Sequence, residues 1–181
     1  NGGGTDRWFL NHTASNILEF GVGQGATQAV TGSSPLTIGE WTAVAAVYDA
    51  GSVTLYVNGT PDGSGNMSIS DLSHVENVAI SIGSTNGDNS FWNGSLDDIH
   101  IWNTALTQFE IEQYMNCPPI GDEAGLVGYW NFEEGTGTTT ADQTSNSNDG
   151  TINGATWITD TPDQVCLGCT ATDTVNISII D

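Results

Sequence analysis

Apolar and polar positions along the chain alternate with a period of two far more often than with a helical period. Val53, Leu55 and Val57 alternate with Thr54 and Tyr56, the pattern of a strand buried on one face. Just before them, residues 41–48 read Trp-Thr-Ala-Val-Ala-Ala-Val-Tyr, apolar enough for a central strand. Asp49-Ala50-Gly51-Ser52 joins the two as a short hairpin. Asn58-Gly59 then supplies the pair of positive-φ residues that a type I′ turn demands. Further strands are expected at 7–10, 16–22, 78–83 and 96–102, separated by turn clusters at the spacing of a sandwich or barrel. One helix is predicted over about 107–115. Thr107 and Glu110 stand in capping-box spacing at its start, and Cys117-Pro118-Pro119 ends it. A second block, 122–160, holds an aromatic strand, Gly125 to Phe132, then a polar stretch over 135–150 and a return to strand at Thr151–Trp157. The tail, 174–180, reads as another strand, Val175-Asn176-Ile177-Ser178-Ile179, and is expected to open a following module.

Composition narrows the function classes. The chain has 181 residues, 22 acidic side chains and a single basic one, Arg7, for a formal net charge of −21. One cation cannot neutralise a run of phosphates, so nucleic acid is excluded as a partner. The basic face that anionic membranes attract is missing too, and no apolar run is long enough to span a bilayer. Disorder does not follow from the charge, because 37% of residues are hydrophobic and six are Trp. Self-repulsion of this size points to bound counter-cations, and calcium is the first expectation. The chain opens on Asn1-Gly2-Gly3-Gly4, which reads as the middle of a loop in an excised piece of a longer polypeptide. Three cysteines, Cys117, Cys166 and Cys169, suggest one disulfide and a leftover thiol rather than a metal site. Cys117 and Cys166 flank the second block. Bridging them would close a loop of about 50 residues, worth about 4 kcal/mol in the chain-entropy model. Cys166–Cys169 is the rival pairing.

Several segments, taken in order, carry a family resemblance. Ile38-Gly39-Glu40-Trp41-Thr42-Ala43-Val44-Ala45 resembles a "W-x-x-V-A" strand, and Leu55-Tyr56-Val57-Asn58-Gly59 an "L-Y-V-N-G" hairpin. Phe91-Trp92-Asn93-Gly94-Ser95-Leu96-Asp97-Asp98-Ile99-His100-Ile101-Trp102-Asn103 resembles an "F-x-G-x-I-D-D-V-x-I-Y-N" strand, followed by the capped helix. Together they resemble the laminin-G-like, concanavalin-A-type jelly roll of bacterial surface proteins. The resemblance implies an all-β, two-sheet antiparallel sandwich with one short helix. The family's opening "F-D-G-x-x-D-Y-V" strands are missing before Asn1. Leu126–Phe132 with Glu133-Glu134-Gly135 resembles the family's first strand, yet stands after the core. Either the block begins a second jelly roll or it closes the first, and closure is favoured, so the sandwich is expected to be circularly permuted or strand-complemented. Residues 1–116 would form a partial core, 117–165 the segment that closes it, and 166–181 a linker and the first strand of the next module.

Asp97 is in phase with Ile99 and Ile101, so it is expected on the apolar face, where a carboxylate must be paired or bind a cation. Calcium takes about 6–8 oxygen ligands. The resemblance implies a structural calcium where first and last strands meet. On this sequence that nominates Asp97, Glu133 and Asp142, with Asn146, Asn148 or Asp149 adding oxygens. The same Asn and Asp residues also fit simple Asx turns. Trp92, with Asn86 and Asp88 in the polar loop 84–93, is the candidate ligand-binding set. No paired catalytic carboxylates in a cleft and no Gly-x-Ser-x-Gly elbow are visible, so no enzyme is expected. The expected function is a non-catalytic adhesion or carbohydrate-binding module of a secreted or cell-surface protein, stabilised by calcium, with a glycan or surface protein as partner. The alternative is a structural repeat of a surface filament, in which a neighbouring chain or module supplies the missing strands.

Overall fold

The computed structural model describes residues 7–24, 26–68, 72, 80–84 and 91–166. Asn86, Asp88, His74, Cys169 and the tail strand at 174–180 lie outside these residues, as does the first part of the strand expected at 78–83. Residues 80–83 adopt no strand, and Ser84 makes one isolated bridge to Phe91.

Two three-stranded antiparallel sheets form the sandwich. The first runs β1 (Arg7–His12), β2 (Ile17–Gln24) and β3 (Ala26–Pro35), in that order. The second runs β4 (Val44–Asp49), β5 (Ser52–Val57) and β6 (Thr60–Asn66). Both predicted hairpin turns are present. Ala50 and Gly51 have φ of 46° and 95° between paired Asp49 and Ser52; Asn58 and Gly59 have 49° and 74° between Val57 and Thr60. Positive φ at both central residues matches the twist of the flanking strands.

The sheets face each other through β2–β3 and β5–β6. Leu18, Phe20, Val22, Val30, Val53, Leu55 and Met67 are buried between them. A Cβ at Gly63 would stand 2.7 Å from the Thr31 carbonyl oxygen, and one at Gly65 would stand 2.8 Å from a Val30 methyl. Glycines are thus needed in β6 where the backbone of β3 crosses close to it. Asp62 joins the same corner, its two carboxylate oxygens accepting the Ser33 and Ser34 N–H groups.

The capped helix is α1 (Gln108–Asn116), with the Thr107/Glu110 capping box formed in both directions. The Thr107 N–H and hydroxyl both donate to Glu110 at 2.7 Å, and the backbone bond holds that exposed carboxyl below its usual range. Before the helix, β7 (Ile99–Trp102) pairs antiparallel with β8 (Leu126–Trp130), which follows it. The 122–160 block therefore lies hydrogen-bonded against the strand of the Asp-Asp motif. Beyond it, only Thr139–Thr140 (β9) and Gly150–Thr151 (β10) pair, so the strand expected over 151–157 is two residues long. Cys117 and Cys166 form a disulfide with Cα atoms 4.6 Å apart. It ties the end of α1 to the end of the block, as the flanking positions suggested. No helix among the described residues is long and apolar enough to cross a membrane.

Candidate functional site

β7 begins at Ile99, so the alternation read from 96 onward does not carry back to Asp97. The residue between, Asp98, has φ of 47°. That left-handed conformation is strained for a side chain with a Cβ. It lets Asp98 act as a junction. The Tyr129 hydroxyl of β8 donates to Asp98 Oδ1 at 2.7 Å, and the Gln164 amide donates to Asp98 Oδ2. One carboxylate thus joins β7, β8 and the segment leading to the disulfide. Sequence reasoning passed over Asp98; its signal was the Asp-Asp doublet at the mouth of a strand.

Asp97 stands beside this junction. Its Oδ1 accepts the Asp98 N–H at 3.0 Å. Burial, with the like charges of Asp98 and Glu133, pushes its carboxyl up to about 6. Two nominated residues, Asp97 and Glu133, are therefore brought close enough to repel. The same burial and the acidic neighbours push the Tyr129 hydroxyl far up as well. Behind them, His100, Trp102, Tyr114 and Tyr129 pack as an aromatic cluster between β7, β8 and α1. The Trp102 indole donates to His100 Nδ1 at 2.7 Å, and burial lowers the imidazole's basicity.

The other nominated residues form a different arrangement. Asp142 is buried, and its carboxylate is a hydrogen-bond hub for the 138–151 loop. Oδ1 accepts the Tyr129 and Thr144 N–H groups, both at 3.0 Å. Oδ2 accepts the Thr144 hydroxyl and the Asn148 N–H, both at 2.9 Å. Burial opposes the charge, but these donors outweigh it and the carboxyl titrates below its ordinary value. Asp149 Oδ1 accepts the Asp142 N–H at 3.0 Å. Asn146 and Asn148 both donate their amides to the Val127 carbonyl. A carboxylate offers about four lone-pair sites, and all of those on Asp142 face protein donors. The loop satisfies itself as an Asx-type hub and does not turn Asp142 towards Asp97 or Glu133. Among the described residues, no three His, Cys, Asp or Glu side chains converge closely enough to hold a metal ion. Asp97 and Glu133, whose like charges act on one another, would be the first carboxylates of a cation site here, and backbone and water oxygens would have to supply the rest.

Trp92 lies at the base of the polar loop. Its backbone N–H donates to the Gly83 carbonyl at 2.8 Å, and its indole N–H donates to the Ser95 carbonyl at 3.3 Å. The His12 ring meets it edge-on with centroids 5.0 Å apart. A Cβ at Gly94 would stand 2.9 Å from the indole nitrogen, so glycine makes room for the ring. Held on these sides, Trp92 remains 39% exposed, and its neighbour Phe91 is exposed as well. Trp92 is thus an exposed indole held by its bond to Ser95 and its contact with His12.

Comparison with known proteins agrees with this architecture. The profile of the Laminin_G_3 family, described as the concanavalin A-like lectin/glucanases superfamily, matches residues 1–112. A solved structure from Bacteroides ovatus, named as a candidate carbohydrate binding protein, is similar with a TM-score of 0.65 at 21% identity, covering 81% of this chain and 47% of that one. An S-layer domain-containing protein from Clostridium thermocellum aligns with a TM-score of 0.40 at 26% identity, covering 62% of this chain and 58% of that one. The chain spans about half the length of these two solved structures. No curated protein matches it significantly.

Proposed function

The chain belongs to the Laminin_G_3 family of the concanavalin A-like lectin/glucanases superfamily, and we propose that it works as a non-catalytic carbohydrate-binding module outside the cell or at a cell surface. The observation that carries this reading is Trp92. An exposed indole fixed by His12 and by its bond to Ser95 is a preorganised platform for a sugar ring. Little side-chain entropy is lost when a ligand stacks on it. The candidate carbohydrate-binding relative supports the same ligand class. A hydrolytic role would need a second carboxylate free across a cleft from Asp97, whereas Asp98 is engaged by Tyr129 and Gln164.

Calcium is part of this proposal, at Asp97 and Glu133. Its support is the mutual repulsion of Asp97, Asp98 and Glu133, which a divalent cation would relieve. The ion would supply charge neutralisation at the rim, and the protein's own groups would hold the β7–β8 end in place. Binding to a neutral-glycan array by the intact protein, compared with Trp92→Ala, tests the ligand reading. Losing one stacked ring platform should weaken binding roughly tenfold or more. Binding that survives the substitution removes Trp92 from the account. Melting with and without EDTA tests the ion, because a ligand bound only by the native state must raise the midpoint. The competing reading is an assembly module of a surface filament. It is favoured by the inward side chains of β1, Trp8 and Leu10, which remain more than a third exposed. Polymerisation of the purified protein without glycan binding would support it.

A further inference from the structure

His100 and Trp102 stand two apart on β7, so their side chains share a face. The Trp102 indole N–H donates to His100 Nδ1 at 2.7 Å. An indole nitrogen can only donate. Nδ1 is therefore the acceptor, which leaves the ring hydrogen on Nε2 and the imidazole neutral. Aromatic rings from three elements meet here. Tyr114 of α1 lies with its centroid 6.2 Å from His100 and 4.9 Å from Trp102, and Tyr129 of β8 lies 6.3 Å from His100. These contacts seat α1 on the β7–β8 pair. The helix also reaches the second sheet, since a Cβ at Gly59 would stand 2.7 Å from Glu112 Cγ. α1 thus connects the β7–β8 junction to the sandwich.

We infer that His100 is an acid-sensitive latch, in which protonation of Nδ1 expels the Trp102 indole and loosens α1 from the β7–β8 pair. The second ring hydrogen would set a donor against a donor. Turning the ring cannot restore the bond, because an imidazolium has no acceptor left. The titratable and charged groups around His100 are Asp98 on its own strand, Tyr129 on β8, Tyr114 on α1 and Glu123 in the turn before β8. Asp98 and Glu123 favour the imidazolium. Burial outweighs them and holds His100 below the ordinary histidine range. The unfolded chain therefore takes up the proton first. The contribution of the latch to stability is fully present above about pH 6.5 and fades as pH falls below it. The helix stays tethered when the latch opens, because its C-cap, Cys117, is bonded to Cys166. Release is thus local and reversible. The inference is independent of both the glycan and the calcium readings.

Nitrogen-15 NMR and hydrogen–deuterium exchange of the full-length protein in EDTA test it. At about pH 7.5 the ring spectrum of His100 should show the Nε2–H form with Nδ1 unprotonated. After correction for intrinsic exchange rates, the α1 amides should exchange roughly tenfold faster at about pH 5 than at about pH 7, while the β5 amides keep their protection. His100→Phe keeps a ring in the cluster but cannot titrate, so its α1 amides should change less than about twofold over the same range. Asp97 titrates in both proteins, so the difference between them isolates His100. The tautomer is read in the wild-type protein, and that arm stands even where the substitution destabilises the fold. Three results would overturn the proposal: a His100 ring that is Nδ1–H or charged at about pH 7.5, α1 amides indifferent to acid, or an equal acid response in His100→Phe.

Discussion

Replacing Asp142 by Asn should destabilise the protein strongly, and equally with or without calcium. The two side chains have nearly the same volume, so the change is one of hydrogen bonding alone. In the native loop both carboxylate oxygens accept two donors each. An amide keeps one acceptor oxygen, and its NH2 group must face the other pair of donors. Two charge-assisted bonds are lost, at about 1.5–3 kcal/mol each, and rotation of the amide cannot restore them. Partial loosening of the loop limits the loss, so about 3 kcal/mol is expected. For a domain of this size that is a fall in Tm of roughly 6–12 °C. The wild-type pH profile should report the same hub. Asp142 titrates below its ordinary value in the fold, so its contribution is fully present above the unfolded pKa and fades as acid protonates it, below about pH 4. Thermal unfolding followed by near-ultraviolet circular dichroism, with the aromatic signals of Tyr129 and Trp130 beside the loop, measures both effects. A shift below about 2 °C would refute the hub. A shift that vanishes in EDTA would make Asp142 a metal ligand instead.

Three further outcomes are expected. Replacing both Cys117 and Cys166 by Ser removes a cross-link over 49 residues and should cost about 4 kcal/mol, read by urea denaturation; a free Cys117 in a non-reducing peptide map would discard the pairing itself. Gly63→Ala should cost about 2 kcal/mol or more, because the new Cβ would meet the Thr31 carbonyl and the Gly32 backbone, which cannot yield like a side chain; an unchanged midpoint would mean the sheets are not this close. In EDTA, stability should fall as pH rises from about 4 to about 6, since the folded state holds the Asp97 proton more tightly than the unfolded chain does. The partly exposed site is screened, so the effect is about 1 kcal/mol. Asp97→Asn should flatten that slope and calcium should reverse it, whereas a slope unaffected by Asp97→Asn would locate the titration elsewhere.

The elements that were legible in the sequence carry their own stabilisation. α1 is readable because Thr107 and Glu110 cap it locally, and β4–β5 because a tight Ala-Gly turn joins them and Asn-Gly ends β5. β3 and β6 were not readable. β6 reads Thr-Pro-Asp-Gly-Ser-Gly-Asn, polar and rich in strand breakers. It is a strand because it pairs along β5 at the outside of its sheet among the described residues, and because glycine fits where β3 comes close. Those reasons exist only between strands distant in sequence. The site divides the same way. The Asn/Asp-rich loop was visible as a cluster of oxygens, but composition could not say whether those oxygens face an ion or the chain's own N–H groups.

That division bears on the charge as a whole. A chain with 22 acids and one base must satisfy its carboxylates without ion pairs. The structure does so with backbone amides. Asp62 takes the Ser33 and Ser34 N–H groups, Glu123 those of Ile120 and Gly121, Glu134 that of Ala141, and Asp142 three more. Each converts a local negative charge into a clamp on a loop, and charge-assisted bonds of this kind outlast the screening that dissolves surface ion pairs at high salt. Asp97 is placed less favourably than these four. It has the single N–H of Asp98 against two neighbouring carboxylates. If the proposed cation binds, chelation should therefore lower the stability of the β7–β8 junction rather than of the sandwich core, read by hydrogen exchange with and without EDTA.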